Sequence, residues 1–277
     1  MCLLVVISRL SPEFPLVVAA NRDERFDRPA IAMTLLSKDN PRILGGRDEQ
    51  AGGTWLAVNE RGVTAGLTNR RDPSGRDPSK RSRGELPLAL TRCSSARHAV
   101  DEFVPRFRPI DYNPAWLLVG DRDSLFAVDM SQGRTPSVKE LGPGAYVLEN
   151  RPFGAPSVKV DAVHAHLKGI KTLTGTELVE GLFAILADHE IPGNDADVPA
   201  GAHCSLEPDA SEPRGSEDRG ANASNLAALN AACVHTEHYG TRWSAVILTP
   251  RDPSSPPAFW YTDGPSCCSE RHLAPWD

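Results

Sequence analysis

Apolar residues come in short runs separated by turn chemistry, and that pattern predicts hairpins. Leu3 to Ile7 and Leu16 to Ala20 read as two strands joined by a turn at Ser11-Pro12-Glu13. Thr54 to Val58 and Val63 to Leu67 read as a second pair, turning at Asn59-Glu60-Arg61-Gly62. Gly62 supplies the positive φ that such a turn needs. Ala115 to Val119 and Ser124 to Asp129 form a third hairpin, and Tyr146 to Leu148 is a short strand that stops at Glu149-Asn150-Arg151-Pro152. Trp243 to Leu248 is strongly strand-like, with Ala258 to Thr262 as its partner. Helical spacing of apolar residues appears over Pro87 to Phe103, Val158 to Leu167 and Thr176 to Asp188. In the last of these, Leu178, Leu182, Ile185 and Leu186 share one face.

Consecutive hairpins imply antiparallel sheets, and the helices between them must cover those sheets. The expectation is one α+β domain over residues 1–277. Residues 192–222 are rich in Gly, Pro, Asp, Glu and Ser and are expected to form a flexible insertion.

Composition narrows the function. A 40% apolar, 24% charged chain of 277 residues is an ordinary globular protein. A net charge of −6 argues against a general nucleic-acid binder. No apolar stretch approaches the ~20 residues of a membrane span, and no signal peptide is evident. A cytoplasmic protein without an integral membrane segment is expected, with its oligomeric state left open. No Gly-rich phosphate loop appears, so nucleotide binding has no support.

The most informative residue is Cys2, which stands directly behind Met1. Removing Met1 leaves a residue with a thiol of pKa ~8.5 and a free amine of pKa ~8, a nucleophile with a built-in base. Polar residues cluster at strand ends: Asn21, Arg22 and Asp23, then Asn69, then Asn150, with Arg242 just before Trp243. Strand ends on a rigid sheet are suited to presenting chemistry, and an asparagine amide can donate to an oxyanion. The ordinary alternative for each asparagine is a turn.

The other five cysteines, Cys93, Cys204, Cys233, Cys267 and Cys268, are irregularly spaced, which argues against a disulfide framework. Cys267, Cys268 and His272 match no common zinc spacing, so no metal centre is expected. Arg70 to Arg83 is a basic run whose readings are a solvated loop or a mobile lid that meets a ligand anion. It has no interleaved aromatics, which leaves nucleic acid as its weakest partner.

Met1-Cys2 with Asn21-Arg22-Asp23-Glu24 resembles the NRDE family, also called the transport and Golgi organization protein 2 family. The resemblance continues through Gly53-Thr54-Trp55-Leu56-Ala57-Val58-Asn59, Leu67-Thr68-Asn69, Ser82-Arg83-Gly84, Leu148-Glu149-Asn150 and Tyr239-Gly240-Thr241-Arg242. That family in turn resembles N-terminal-nucleophile cysteine hydrolases of the penicillin V acylase and bile salt hydrolase type. The resemblance implies an αββα sandwich of mostly antiparallel sheets. It also implies catalytic roles for Cys2, Asp23, Asn69, Asn150 and Arg242, and substrate contacts from Asn21, Arg22, Trp55 and Arg83. Ala20 stands where the acylases carry an arginine, and Arg22 and Arg242 are the candidates to supply that charge.

Two functions follow from the resemblance. One is an amidohydrolase that acts on an N-acyl amide or acyl thioester and needs no cofactor. The other is a non-catalytic carrier of haem or a lipid-like acyl ligand. For the carrier, Cys233, His235 and His238 are the local candidates for haem ligation.

Overall fold

The first two strands are buried on both faces, and alternate residues enter different cores. In β1 (Leu3–Ser8), Leu4 and Val6 point to one side while Leu3, Val5 and Ile7 point to the other. In β2 (Leu16–Arg25), Leu16, Val18 and Ala20 join the first set, and Val17 and Ala19 the second. Two-sided burial is why these strands read as continuous apolar runs and not as an alternation. The structure is a computed structural model that describes residues 2–70, 72, 75–170, 174–191 and 227–277. The insertion expected at 192–222 lies outside the described residues.

The remaining strands are β3 (Ala30–Ser37), β4 (Ile43–Asp48), β5 (Leu56–Asn59), β6 (Thr64–Asn69), β7 (Ala115–Gly120), β8 (Leu125–Asp129), β9 (Ser137–Leu141), β10 (Gly144–Leu148), β11 (Tyr239–Thr249), β12 (Ala258–Thr262) and β13 (Arg271–Leu273). The helices are α1 (Glu85–Thr91), α2 (Ala96–Phe103), α3 (Val158–Ile170) and α4 (Gly175–Leu186). One sheet runs β10-β1-β2-β11-β12-β13 and the other is a meander from β3 to β9. Every paired strand is antiparallel.

The sheets face each other across a core that includes Leu4, Val18, Leu56, Leu118 and Trp243. Helices α3 and α4 cover the outer face of the first sheet, and α1 and α2 cover that of the second. The layers are therefore α, β, β, α, the sandwich expected from the resemblance. Each fully buried Leu, Val or Phe in these cores contributes ~1.5–3 kcal/mol. Among the described residues, no helix is long and apolar enough to cross a membrane.

Three sequence readings are corrected. The helix expected over Pro87 to Phe103 is two helices. Ser95 starts the second, its hydroxyl accepting from the His98 N–H at 3.2 Å, and Asp121 takes the Ala96 N–H at 2.6 Å. Strands β3, β4, β9 and β13 were not anticipated, because their period-two signal is broken by glycines, charges or short length. Strand β2 also runs on through Asn21, Arg22 and Asp23, held by a β11 that starts at Tyr239. These three residues are inside the strand, not beyond its end.

Candidate active site

Strand pairing gathers the expected residues at one end of the sandwich. β1 pairs with β10, Leu4 opposite Leu148, which carries Cys2 and Asn150 to the same edge. The Cys2 backbone N–H donates to Oδ1 of Asn150 at 3.1 Å. The other end of that amide, Nδ2, donates to the carbonyl of Asn69, the last residue of β6 in the facing sheet. One side chain thus ties Cys2 to both sheets. Asn150 uses one of its two N–H groups on Asn69 and has a second for another acceptor.

Asp23 arrives from β2. Its backbone N–H hydrogen-bonds the Cys2 sulfur. Its carboxylate Oδ1 accepts the Thr241 hydroxyl at 2.7 Å, and its carbonyl accepts the Tyr239 hydroxyl at 2.9 Å. Thr241 Oγ1 in turn accepts the Val234 N–H at 2.9 Å. Burial pushes the Cys2 thiol above its ordinary value, and the Asp23 charge adds to the rise. The Asp23 N–H and the Arg22 guanidinium pull the other way without cancelling it.

The inward-facing partner of Asp23 on the strand is Arg22. It is buried, an expensive place for a charge unless the surroundings answer it. Its guanidinium lies 4.3 Å from the Trp55 ring centre, 3.3 Å from Asp48 and 3.7 Å from Glu24. Arg28 completes the quartet at 2.8 Å from Asp48 and 3.6 Å from Glu24. Burial alone would raise the Asp48 carboxyl, but hydrogen bonds from Arg28 and the Ala51 N–H, with the charges of Arg28 and Arg22, hold it below the usual range. Gly46 makes room for this stack: a Cβ there would sit 2.1 Å from the Trp55 ring. Trp55 also meets Trp243 edge to face at 5.3 Å.

Arg83 approaches from the loop before α1. It donates to the Pro114 carbonyl at 3.1 Å, the same oxygen that accepts the Arg70 N–H beside Asn69. Burial and neighbouring Arg76 lower Arg83 to about 10, while the Cys2 side chain supports its charge, so it is a cation at neutral pH. Among the described residues, Arg22 and Arg83 are guanidinium groups whose charge is felt at the Cys2 side chain. Ala20, where the acylases carry arginine, packs into the core between the sheets.

The other expected residues sit elsewhere. Arg242 lies at a bulge between Thr241 and Trp243. It donates to the carbonyls of Arg25, Phe26 and Arg28, clipping the β2–β3 turn. Asn21 points to the outer face, donating to the Leu186 and Ala232 carbonyls at 2.8 Å and accepting from Ser244 at 2.6 Å. It fastens α4 to the sheet.

Sequence reading missed Thr241 as a partner of Asp23 and the Asp48–Arg28 pair that supports Arg22. It also missed an aromatic wall after Asn150. Phe153 lies 6.0 Å from Trp116 and 6.4 Å from Tyr146. Trp116 Nε1 and Thr68 Oγ1, on paired residues of β7 and β6, are buried without a hydrogen-bond partner among the described residues. No spacing rule brings these segments together, so only the Tyr239-Gly240-Thr241-Arg242 motif could have pointed to any of them.

Comparison with known proteins agrees with this architecture. A bovine Transport and Golgi organization protein 2 homolog is 30% identical over 86% of this chain and 83% of its own length. The human homolog is 28% identical over the same shares. A solved Caenorhabditis elegans N-acylethanolamine-hydrolyzing acid amidase ortholog superposes with a TM-score of 0.53 at 13% identity. That superposition covers 99% of this chain and 100% of the other, and the two chains share the αββα fold. The family model for Transport and Golgi organisation 2 matches residues 1–255, and the chain belongs to that family.

Proposed function

We propose that the chain is an N-terminal cysteine hydrolase that cleaves an N-acyl amide or an acyl thioester. The observation that carries this reading is the hydrogen-bonded path from Asn69 through Asn150 to the Cys2 nitrogen, with Asp23 on the sulfur. Once Met1 is removed, that nitrogen is an amine held by Asn150 beside its own thiol. It takes the thiol proton, and the sulfur attacks the acyl carbonyl carbon. The carbonyl oxygen gains negative charge, answered by the second Asn150 N–H and by Arg83. The C–N or C–S bond then breaks, and the amine returns its proton to the leaving group. Water adds to the thioester at Cys2, which releases a carboxylic acid and restores the thiol.

Trp116, Phe153 and Tyr146 supply an apolar wall for the acyl chain, and Arg22 and Arg83 suit an anionic or strongly polar group near the carbonyl. The fold is shared with a protein named for hydrolysing N-acylethanolamines, which are N-acyl amides.

The carrier reading places its ligand at the same end of the sandwich, against Trp116, Phe153 and Tyr146. Its haem donors are less well placed, because Cys233 and His235 face Cys267, and exposed His238 stands beside Glu237. A panel of N-acyl amides and acyl thioesters, run beside a haem titration, separates the two. The hydrolase reading expects turnover, a Cys2-linked acyl adduct by intact mass, and loss of both in Cys2→Ala. No turnover, with saturable haem binding indifferent to Cys2→Ala, rejects it.

A further inference from the structure

Beyond the Cys2 site, four side chains from three segments converge. His189 follows α4, Cys233 and His235 lie in the segment leading to β11, and Cys267 lies between β12 and β13. Their donor atoms all lie within 4.8 Å of one another. Cys233 Sγ is 3.8 Å from Cys267 Sγ, and each sulfur is 3.4 Å from His235 Nε2. The His189 and His235 rings are 4.8 Å apart between centres.

We propose that His189, Cys233, His235 and Cys267 bind one zinc ion as a closed structural site. Zinc bonds to sulfur at ~2.3 Å and to nitrogen at ~2.0–2.1 Å, so a tetrahedron puts two sulfurs ~3.8 Å apart and sulfur and nitrogen ~3.5 Å apart. The Cys233–Cys267 separation and both sulfur–His235 separations match those edges, and the His189 donor lies within 4.8 Å of the other three. A thiol–imidazole hydrogen bond accounts for one contact, but not for four donors meeting around one point. Two thiolates and two imidazoles are a donor set suited to zinc, and two released protons leave the centre neutral. With four protein donors there is no open position for substrate, so the role is structural. The sequence reading set aside a Cys267, Cys268 and His272 cluster and expected no metal centre; the structure sets His272 against Tyr261.

The position gives the site a purpose. The Cys233 N–H donates to the Asp188 carbonyl at 2.8 Å, and the next residue, Val234, holds Thr241, which holds Asp23. A metal here fixes α4 to the strand segment that supports Asp23. The site stands whether or not the chain is a hydrolase.

The test uses the untagged full chain purified without chelator. Elemental analysis should find about one zinc per chain. After chelation, added cobalt should give a thiolate-to-cobalt charge-transfer band and the intense visible bands of a tetrahedral ion. Cys233→Ser and Cys267→Ser should lose the metal, and Cys268→Ser and Cys93→Ser should keep it. Thiol counting on wild type avoids any folding defect of the variants: Cys233 and Cys267 should react only after chelation. A chain that is purified metal-free and gives no cobalt–thiolate band overturns the proposal. So does metal retained by the Cys233→Ser/Cys267→Ser double variant, or a Cys233–Cys267 disulfide in protein kept under reductant.

Discussion

Thr241 donates its hydroxyl proton to the Asp23 carboxylate at 2.7 Å while accepting the Val234 N–H at 2.9 Å. One buried hydroxyl therefore joins the carboxylate beside Cys2 to the segment that carries Cys233 and His235. Thr241→Val keeps the shape and deletes both bonds. The expected cost is ~1–3 kcal/mol, the usual penalty for stranding buried polar groups. Thr241→Ser should recover most of it. Urea unfolding of the three proteins decides the matter: equal midpoints for wild type and Thr241→Val would show that the hydroxyl bridge holds nothing.

The Arg22 cluster predicts an acid-sensitive fold. Asp48 has its carboxyl held low by Arg28, the Ala51 N–H and Arg22, against burial. A depressed folded value means that the stabilisation is complete above the unfolded carboxylate pKa of ~3.9 and is lost as pH falls through the lower folded value. Asp48→Ala removes the main partner of a buried guanidinium, and breaking a buried pair costs ~3–5 kcal/mol. Asp48 is partly open to water, so the lower end of that range is expected. Melting temperatures across pH should show a large gap between wild type and Asp48→Ala at neutrality that closes below about pH 4. A gap that stays constant with pH would mean that the charge is not the cause.

The doubly buried strands β1, β2, β7 and β11 were legible because apolar runs bounded by turns have few other uses. Strands β3 and β4 were not: β4 contains Gly45 and Gly46, whose role is visible only once Trp55 is seen against Gly46. The cluster Cys2, Asp23 and Asn150 was legible through motifs, since short motifs record residues that must stay adjacent in chain. Arg242 belongs to such a motif, yet its guanidinium clips a turn, because a bulge turns that residue out of the pairing. Arg83, in the loop before α1, was legible only through the Ser82-Arg83-Gly84 motif, because loop geometry carries no periodic signal. The same limit hid the His189, Cys233, His235 and Cys267 convergence, whose members are up to 78 positions apart and follow no fixed spacing.

Burial raises the Cys2 thiol, so in the chain that keeps Met1 the thiolate is scarcer at neutral pH than in an unfolded chain. A raised folded value also stabilises the fold below the unfolded thiol pKa of ~8.5, and that benefit fades as pH climbs. Iodoacetamide labelling with peptide mapping, from about pH 7 to about pH 10, should show slow Cys2 alkylation that accelerates at the alkaline end. Removal of Met1 places an amine next to the thiol and should move the profile to lower pH. Cys2 alkylating as fast folded as unfolded at neutral pH would remove burial as the controlling factor.

Asp23→Asn separates catalysis from carriage. The substitution keeps an oxygen for the Thr241 hydroxyl and leaves the backbone N–H on the Cys2 sulfur, so the fold should survive. In the hydrolase reading, what it removes is the negative charge that would balance the Cys2 amine when that amine carries the thiol proton. If the chain is a hydrolase, turnover should fall by ~10²–10⁴, the span of a positioned acid–base group. The Michaelis constant should change much less, because the acyl chain is expected along Trp116 and Phe153. A carrier would bind its ligand nearly as well after the same change. The measurement is single-turnover acylation of Cys2 in wild type and Asp23→Asn, with circular dichroism to confirm the fold. Acylation at an unchanged rate in a well-folded Asp23→Asn chain would remove Asp23 from the chemistry and leave Asn150 as the group that positions the Cys2 nitrogen.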